Sequence, residues 1–95
     1  MILSATIVFE PNYAERFASL DSEAQMIAPT VKLGDGRTFS VVVDMEAGAV
    51  SESARKCTVR AVFPEAPGTE ALAPGNRVSV YDGPERMALL DLDET

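Results

Sequence analysis

Apolar and polar side chains alternate along most of this chain, and this period of two restricts its fold more than any other feature of the sequence. Successive side chains of a β-strand point to opposite faces, so alternation predicts strands that each bury only one face. Residues 2–9 illustrate the pattern. Their predicted buried face consists of Leu3, Ala5, Ile7 and Phe9.

Six segments carry this alternation, and clusters of Gly, Pro and Asp separate most of them. They are residues 2–9, 26–33, 37–44, 56–63, 76–81 and 86–92. Six short strands with one apolar face each must close into a barrel or pack as a two-layer sandwich. Closure also removes exposed strand edges. The sequence therefore predicts a mainly β fold, a small antiparallel six-stranded β-barrel, in a single domain of residues 1–95.

The turns support this arrangement. Gly34-Asp35-Gly36 lies between two alternating runs and predicts a β-hairpin, with Phe39 on the buried face of the second strand. Pro29 interrupts residues 26–33, so that segment should be an edge strand or begin just after the proline. Alternation over residues 56–63 places Phe63 in the core.

One short helix is predicted near residues 13–20. Asn12 and Glu15 have the spacing of a helix-capping pair, and Tyr13, Phe17 and Leu20 then share one helical stripe. An irregular excursion between strands is the alternative. One further helical turn is predicted at residues 51–55.

Charge and cysteine content restrict the partners and the cellular compartment that we expect for the protein. Eight Lys and Arg against fifteen Asp and Glu give a net charge of −7, which disfavours nucleic acid as a partner. The single cysteine, Cys57, cannot form an internal disulfide, so we expect a cytoplasmic, reducing compartment. Residues 1–6 lack the basic start of a signal peptide, and no apolar run approaches the ~18 residues of a membrane span.

The absence of histidine from the sequence excludes most familiar catalytic arrangements. Ser-His-Asp and Cys-His sites, and zinc sites of the usual kind, cannot be assembled. We predict no catalytic, cofactor-binding or metal-ligating residue. Cys57 has two interpretations: a thiol activated by Arg55, Lys56 and Arg60, or a small core residue aligned with Val59.

Charged clusters offer further alternatives. Asp91, Asp93 and Glu94, or Asp44 with Glu46, could perform acid–base work or bind calcium, although no glycine-bearing calcium loop is present. A solvated terminus is the simpler interpretation of the first group. The basic residues around position 57 could contact an anionic ligand or an acidic partner, or could simply balance the surface charge.

The C-terminal two-thirds of the chain resembles a known family. A strand at 58–63 is followed by a long loop, by Leu72-Ala73-Pro74-Gly75-Asn76, and by a strand at 78–81. The turn Asp82-Gly83 then leads to a last strand at 87–92. This order resembles the third-domain type of β-barrel in translation elongation factor Tu. The resemblance implies an accessory barrel and not a GTPase, since no Gly-x-x-x-x-Gly-Lys motif occurs.

These observations favour a non-catalytic binding module with a protein partner, of bacterial type, in which the loop at residues 64–75 is the leading interaction candidate. A translation-associated or RNA-binding accessory domain is the alternative that the resemblance implies. An enzyme using Asp44 or Glu46 without histidine is a third hypothesis.

Overall fold

The computed structural model describes residues 1–19 and 21–94 and contains seven strands, one α-helix and one 3-10 helix in that part of the chain. The first elements are β1 (Leu3–Phe9), α1 (Pro11–Phe17), β2 (Gln25–Ile27) and β3 (Thr30–Lys32). They are followed by β4 (Thr38–Met45), β5 (Ala54–Ala61), the 3-10 helix (Thr69–Ala71), β6 (Arg77–Asp82) and β7 (Glu85–Leu92).

Six of the strands close into a barrel in the order β3-β4-β5-β1-β7-β6, with β6 pairing back to β3, and every pairing is antiparallel. The predicted six-stranded antiparallel barrel is therefore confirmed. The seventh strand, β2, lies outside the ring and pairs with the second half of β4. None of the helices in residues 1–19 and 21–94 is long and apolar enough to cross a membrane.

Pro29 explains why the predicted strand at 26–33 is divided. β2 ends at Ile27 and β3 starts at Thr30, immediately after the proline, because proline has no N–H for a strand ladder. Its carbonyl still accepts a hydrogen bond from the N–H of Val41, 3.1 Å away. The chain thus keeps its position beside β4 while it changes from the outer strand to the barrel wall.

The inward faces of the strands form one core, as the alternation predicts. Fully buried side chains on this face include Ile7, Val31, Val41, Val43, Val80 and Leu90. Burial of one such aliphatic side chain contributes about 1.5–3 kcal/mol before chain entropy is counted, so this continuous apolar lining is the main stabilising term. The hairpin prediction is confirmed, since Val31 of β3 pairs with Phe39 of β4, and both residues are buried.

The helix α1 covers one end of the barrel. Pro11 occupies its first turn and Glu10 is its N-cap, so the capping pair predicted from Asn12 and Glu15 is wrong. Phe17 is buried and its ring stacks on Phe9 with the centroids 5.3 Å apart. The short helix predicted near residues 13–20 is present, but it begins earlier, at Pro11, and ends at Phe17. Leu20, the third member of the predicted stripe, lies outside the described residues.

Arg55 connects the C-terminal end of this helix to the barrel. Its guanidinium is fully buried, and it donates hydrogen bonds to the carbonyls of Phe17 (3.1 Å), Glu23 (2.8 Å) and Glu46. Burial lowers the pKa of this guanidinium. The predicted helical turn at 51–55 is wrong, because β5 already begins at Ala54 and carries Arg55 inward.

The barrel therefore has two different ends. The helix end contains α1, the β6–β7 turn and the connection at residues 46–53. The loop end contains the start of β1, the β3–β4 turn, the last residues of β5 and the long connection from β5 to β6.

Candidate apolar binding groove

The connection between β5 and β6 folds back over the loop end. Gly68 is buried there with a φ of 97°, a left-handed conformation that favours glycine. A Cβ at this position would lie 2.9 Å from Leu33 Cδ1 and 3.5 Å from Phe39 Cδ1. This close approach places the loop directly on the β3–β4 hairpin, and Leu72 follows it into the core.

Side-chain hydrogen bonds fix the rest of the loop. Thr69 Oγ1 lies 2.9 Å from the carbonyl of Pro64 and 3.0 Å from that of Ala66, and Asn76 Nδ2 donates to the carbonyl of Ala71 at 3.0 Å. Arg37 of the hairpin turn also donates to Glu70 at 2.9 Å. Because these hydrogen bonds lie within the protein, the loop forms its surface without a ligand.

That surface includes a groove of about 400 Å³ between the loop and the barrel wall. The size lies within the usual range of ligand and anchor-residue sites. Its lining is mainly apolar and combines the start of β1 and the end of β5 with the loop: Met1, Leu3, Ala61, Pro64, Leu72 and Pro74, beside Glu70 and two small residues.

Exposed apolar side chains continue from this lining. Met1, Ile2 and Phe63 are 90%, 66% and 67% exposed, and Val62 is 37% exposed. Each of them lines the groove or is a chain neighbour of a lining residue. Single exposed apolar side chains are ordinary on protein surfaces, but here four of them belong to the lining of an apolar groove or are next to it in sequence, which makes this end of the barrel the candidate site.

Phe63 is the residue that the alternation placed wrongly. β5 ends at Ala61, and the chain bends at residues 62–63 before Pro64, so Phe63 leaves the wall instead of entering the core. The proline that follows Phe63 and the Pro67-Gly68 pair were the available signal. The predicted interaction loop at 64–75 does line the groove, whereas the contributions of Met1, Leu3 and Ala61 were not predicted.

A second, smaller cavity of about 280 Å³ lies at the helix end, between α1 and the β6–β7 turn. Two of its polar side chains, Tyr13 and Asp82, are partners of each other. The Tyr13 hydroxyl donates to Asp82 Oδ2 at 3.2 Å, and burial together with the neighbouring Glu85 and Asp82 carboxylates raises its pKa to about 12. Lys32 Nζ lies 4.5 Å from the centre of the Tyr81 ring. These contacts give the cavity a structural role.

Cys57 is a core residue. Its side chain is 2% exposed, and its thiol contacts the carbonyl of Ala5 at 3.6 Å. Burial, reinforced by the Asp93 carboxylate, raises the pKa of the thiol to about 12, so the thiolate form is disfavoured at neutral pH. The interpretation of Cys57 as an activated thiol is therefore wrong.

The predicted charged clusters are dispersed. Arg55 is buried among carbonyls, and Lys56 Nζ forms an ion pair with Asp93 Oδ2 at 3.6 Å. Of the three basic residues, Arg60 alone is neither buried nor ion-paired within the described residues. Asp91 Oδ1 accepts from Arg77 Nε at 2.5 Å. Asp44 and Glu46 are exposed on β4 and just after it. Within residues 1–19 and 21–94, no three Cys, Asp or Glu side chains are arranged to hold a metal ion.

The fold and the groove define this protein as a small closed β-barrel with a preformed apolar site at one end. A comparison with protein-family models found no match, and comparisons with curated proteins and with solved structures found none either. The resemblance to the elongation factor Tu barrel stays a prediction.

Proposed function

We propose that this protein is a non-catalytic binding module that holds a protein partner at the loop end of the barrel. The observation that carries the proposal is the apolar groove together with the exposed Phe63, which directly precedes the lining residue Pro64. Exposure of a large aromatic side chain to water is unfavourable unless a partner covers it, and aromatic residues are enriched among the side chains that dominate binding energy.

The chemistry of the described side chains supports a role without catalysis. The only thiol is buried and protonated, and the tyrosine with a perturbed pKa is bonded to a carboxylate inside the helix-end cavity. An enzyme that used Asp44 or Glu46 would need a ligand-sized pocket around them. Both residues are exposed, and the cavity that Glu46 lines, of about 150 Å³, is below the usual size of a ligand site. A cytoplasmic, bacterial setting remains part of the proposal.

An RNA-binding role finds less support from the surface charge. Four of the eight cations in the chain are paired with carboxylates: Arg37, Lys56, Arg77 and Arg86. Arg55 is buried, and Arg16 and Lys32 lie over the rings of Phe17 and Tyr81. Phosphate contacts need free cations, and this distribution leaves Arg60 to supply them.

The test is affinity capture from an extract of the native host with three immobilised forms of the full chain. The forms are the wild type, Phe63→Ser at the groove, and Val50→Ser, a matched control at the helix end whose side chain is 59% exposed. We expect a protein that is enriched on the wild type and on Val50→Ser, lost on Phe63→Ser, and unaffected by nuclease. Equal enrichment on all three forms would contradict the proposed site, and loss after nuclease treatment would favour the RNA-associated alternative.

A further inference from the structure

We infer that the partner presents a basic segment with one bulky apolar side chain, which occupies the groove while flanking Lys or Arg residues face the glutamates around it. This inference rests on the proposed function and specifies the chemistry of the partner. The apolar lining favours the bulky apolar side chain, and the charges around the lining favour the Lys or Arg residues that flank it.

One glutamate lines the groove, and two more lie on or beside the loop that forms it. Glu70 is part of the lining, and Glu65 directly follows the lining residue Pro64. The Glu94 side chain lies next to Gly75, with its Cγ 3.6 Å from the place where a Cβ on Gly75 would be. Glutamate carboxylates are therefore present on both the early and the late part of the loop.

The charges of these glutamates are only partly compensated inside the protein. Glu70 forms an ion pair with Arg37 at 2.9 Å. Glu65 and Glu94 form no ion pair with any cation of residues 1–19 and 21–94. Among the described Lys and Arg side chains near this end, Arg60 alone has neither an ion pair nor a ring contact. Glu65 and Glu94 outnumber it, so the local side-chain charge has the same sign as the net charge of −7. A cationic partner is thus attracted both at long range and at contact.

The same charges oppose a second copy of the chain as the occupant. In a two-fold symmetric dimer each copy would place its own groove rim against that of the other, so glutamates would meet glutamates. Each copy also carries a net charge of −7. An acidic partner segment would meet the same repulsion.

The experiment is a selection from a displayed library of random dodecapeptides against the immobilised full chain at low salt. We expect enriched sequences with a net positive charge and at least one Leu, Ile, Phe or Trp. Raising the ionic strength from 50 to 300 mM should weaken the best peptide severalfold, because exposed charge pairs are screened.

Matched variants then locate the peptide by titration calorimetry. Phe63→Ala should weaken binding about tenfold, and Glu65→Gln and Glu94→Gln about twofold to threefold each, in line with single exposed charge pairs. Glu52→Gln is the control. Glu52 precedes β5 at the helix end, and the strand from Ala54 to Ala61, about 23 Å long, separates it from the groove, so its removal should leave the affinity unchanged.

The outcomes separate this inference from the proposed function. Enrichment of neutral or acidic peptides whose affinity still depends on Phe63 would overturn the basic partner and leave the groove as a binding site. A selection without enrichment, or a dimer in sedimentation equilibrium that Phe63→Ala dissociates, would also overturn the inference. Peptides that bind equally well to Phe63→Ala would remove the groove itself, and the proposed function with it.

Discussion

Replacement of Arg55 by methionine tests how much of the fold depends on one buried guanidinium. Methionine keeps an unbranched stem of similar length but has no donor. The carbonyls of Phe17, Glu23 and Glu46 would lose their charged partner, and a hydrogen bond to a charged group is worth about 1.5–3 kcal/mol.

The expected net loss is smaller than the sum of these bonds. Removal of a buried charge also removes its desolvation penalty, and carbonyls near exposed residues can regain water. We expect Arg55→Met to lower the free energy of unfolding by about 2–4 kcal/mol. In a domain of this size that change corresponds to a fall in Tm of roughly 10–25 °C.

The assay is urea unfolding followed by far-UV circular dichroism, with Arg60→Met as the matched control. Arg60 lies on the same strand but is exposed, and its replacement should change stability by less than about 0.5 kcal/mol. Amide exchange should accelerate at residues 17–25 and near Glu46 before it does so in the barrel wall. The reasoning would be refuted if Arg55→Met were no less stable than Arg60→Met, or if exchange rose evenly throughout.

Three further predictions follow from the positions of single residues. Gly68→Ala should lose about 1–3 kcal/mol of stability in thermal unfolding, because the added Cβ makes a close contact and the φ is unfavourable for alanine. Gly36→Ala is the control. It has a φ of 90° but open space around it, so it should lose only the smaller contribution of the unfavourable φ. Cys57 should resist Ellman's reagent in the native state and react fully in urea; rapid native labelling would contradict its burial. Well below pH 9 this thiol is protonated in both states, but between pH 9 and 12 only the unfolded chain releases the proton, so stability should fall by up to about 1.4 kcal/mol per pH unit. Cys57→Ala should remove most of the slope near pH 9, and the slope that remains toward pH 12 belongs to Tyr13. In a Tyr81→Phe variant, absorbance at 295 nm should report ionisation of Tyr13 near pH 12; a midpoint at its ordinary value of 10.0 would show that the hydroxyl is not held by Asp82.

The barrel wall could be predicted from the sequence because each wall strand has one solvent-exposed face and one buried face. That asymmetry is written directly into the alternation, as in Phe39, Val41 and Val43, all of which are buried. The hairpin at Gly34-Asp35-Gly36 fixes the pairing of β3 with β4. The pairings of β1 with β5 and β7, and of β3 with β6, join distant segments and were not predicted. The division at Pro29 followed equally directly, because the lack of an N–H is a local property.

The positions that were predicted wrongly depend on contacts between segments distant in sequence. Arg55 looked like part of a surface cluster, because nothing local shows that three carbonyls from other segments surround it. The early start of α1 depends on Pro11 as its first residue, which the apparent pair of Asn12 and Glu15 obscured. Phe63 continued an alternating run beyond the point where the wall ends. The groove combines β1, β5 and the loop, and no single stretch of sequence contains it.

The seating of Gly68 on the hairpin separates the proposed binding surface from the parts that stabilise this small molecule. The helix end is sealed by aromatic packing, and the strands are aligned by their own ladders, so neither depends on the side chains at residues 69–71 and 73–74. Exchange of those residues, with Gly68 and Leu72 retained, should therefore redirect recognition on an unchanged scaffold. Such a barrel is a natural acceptor for grafted loops.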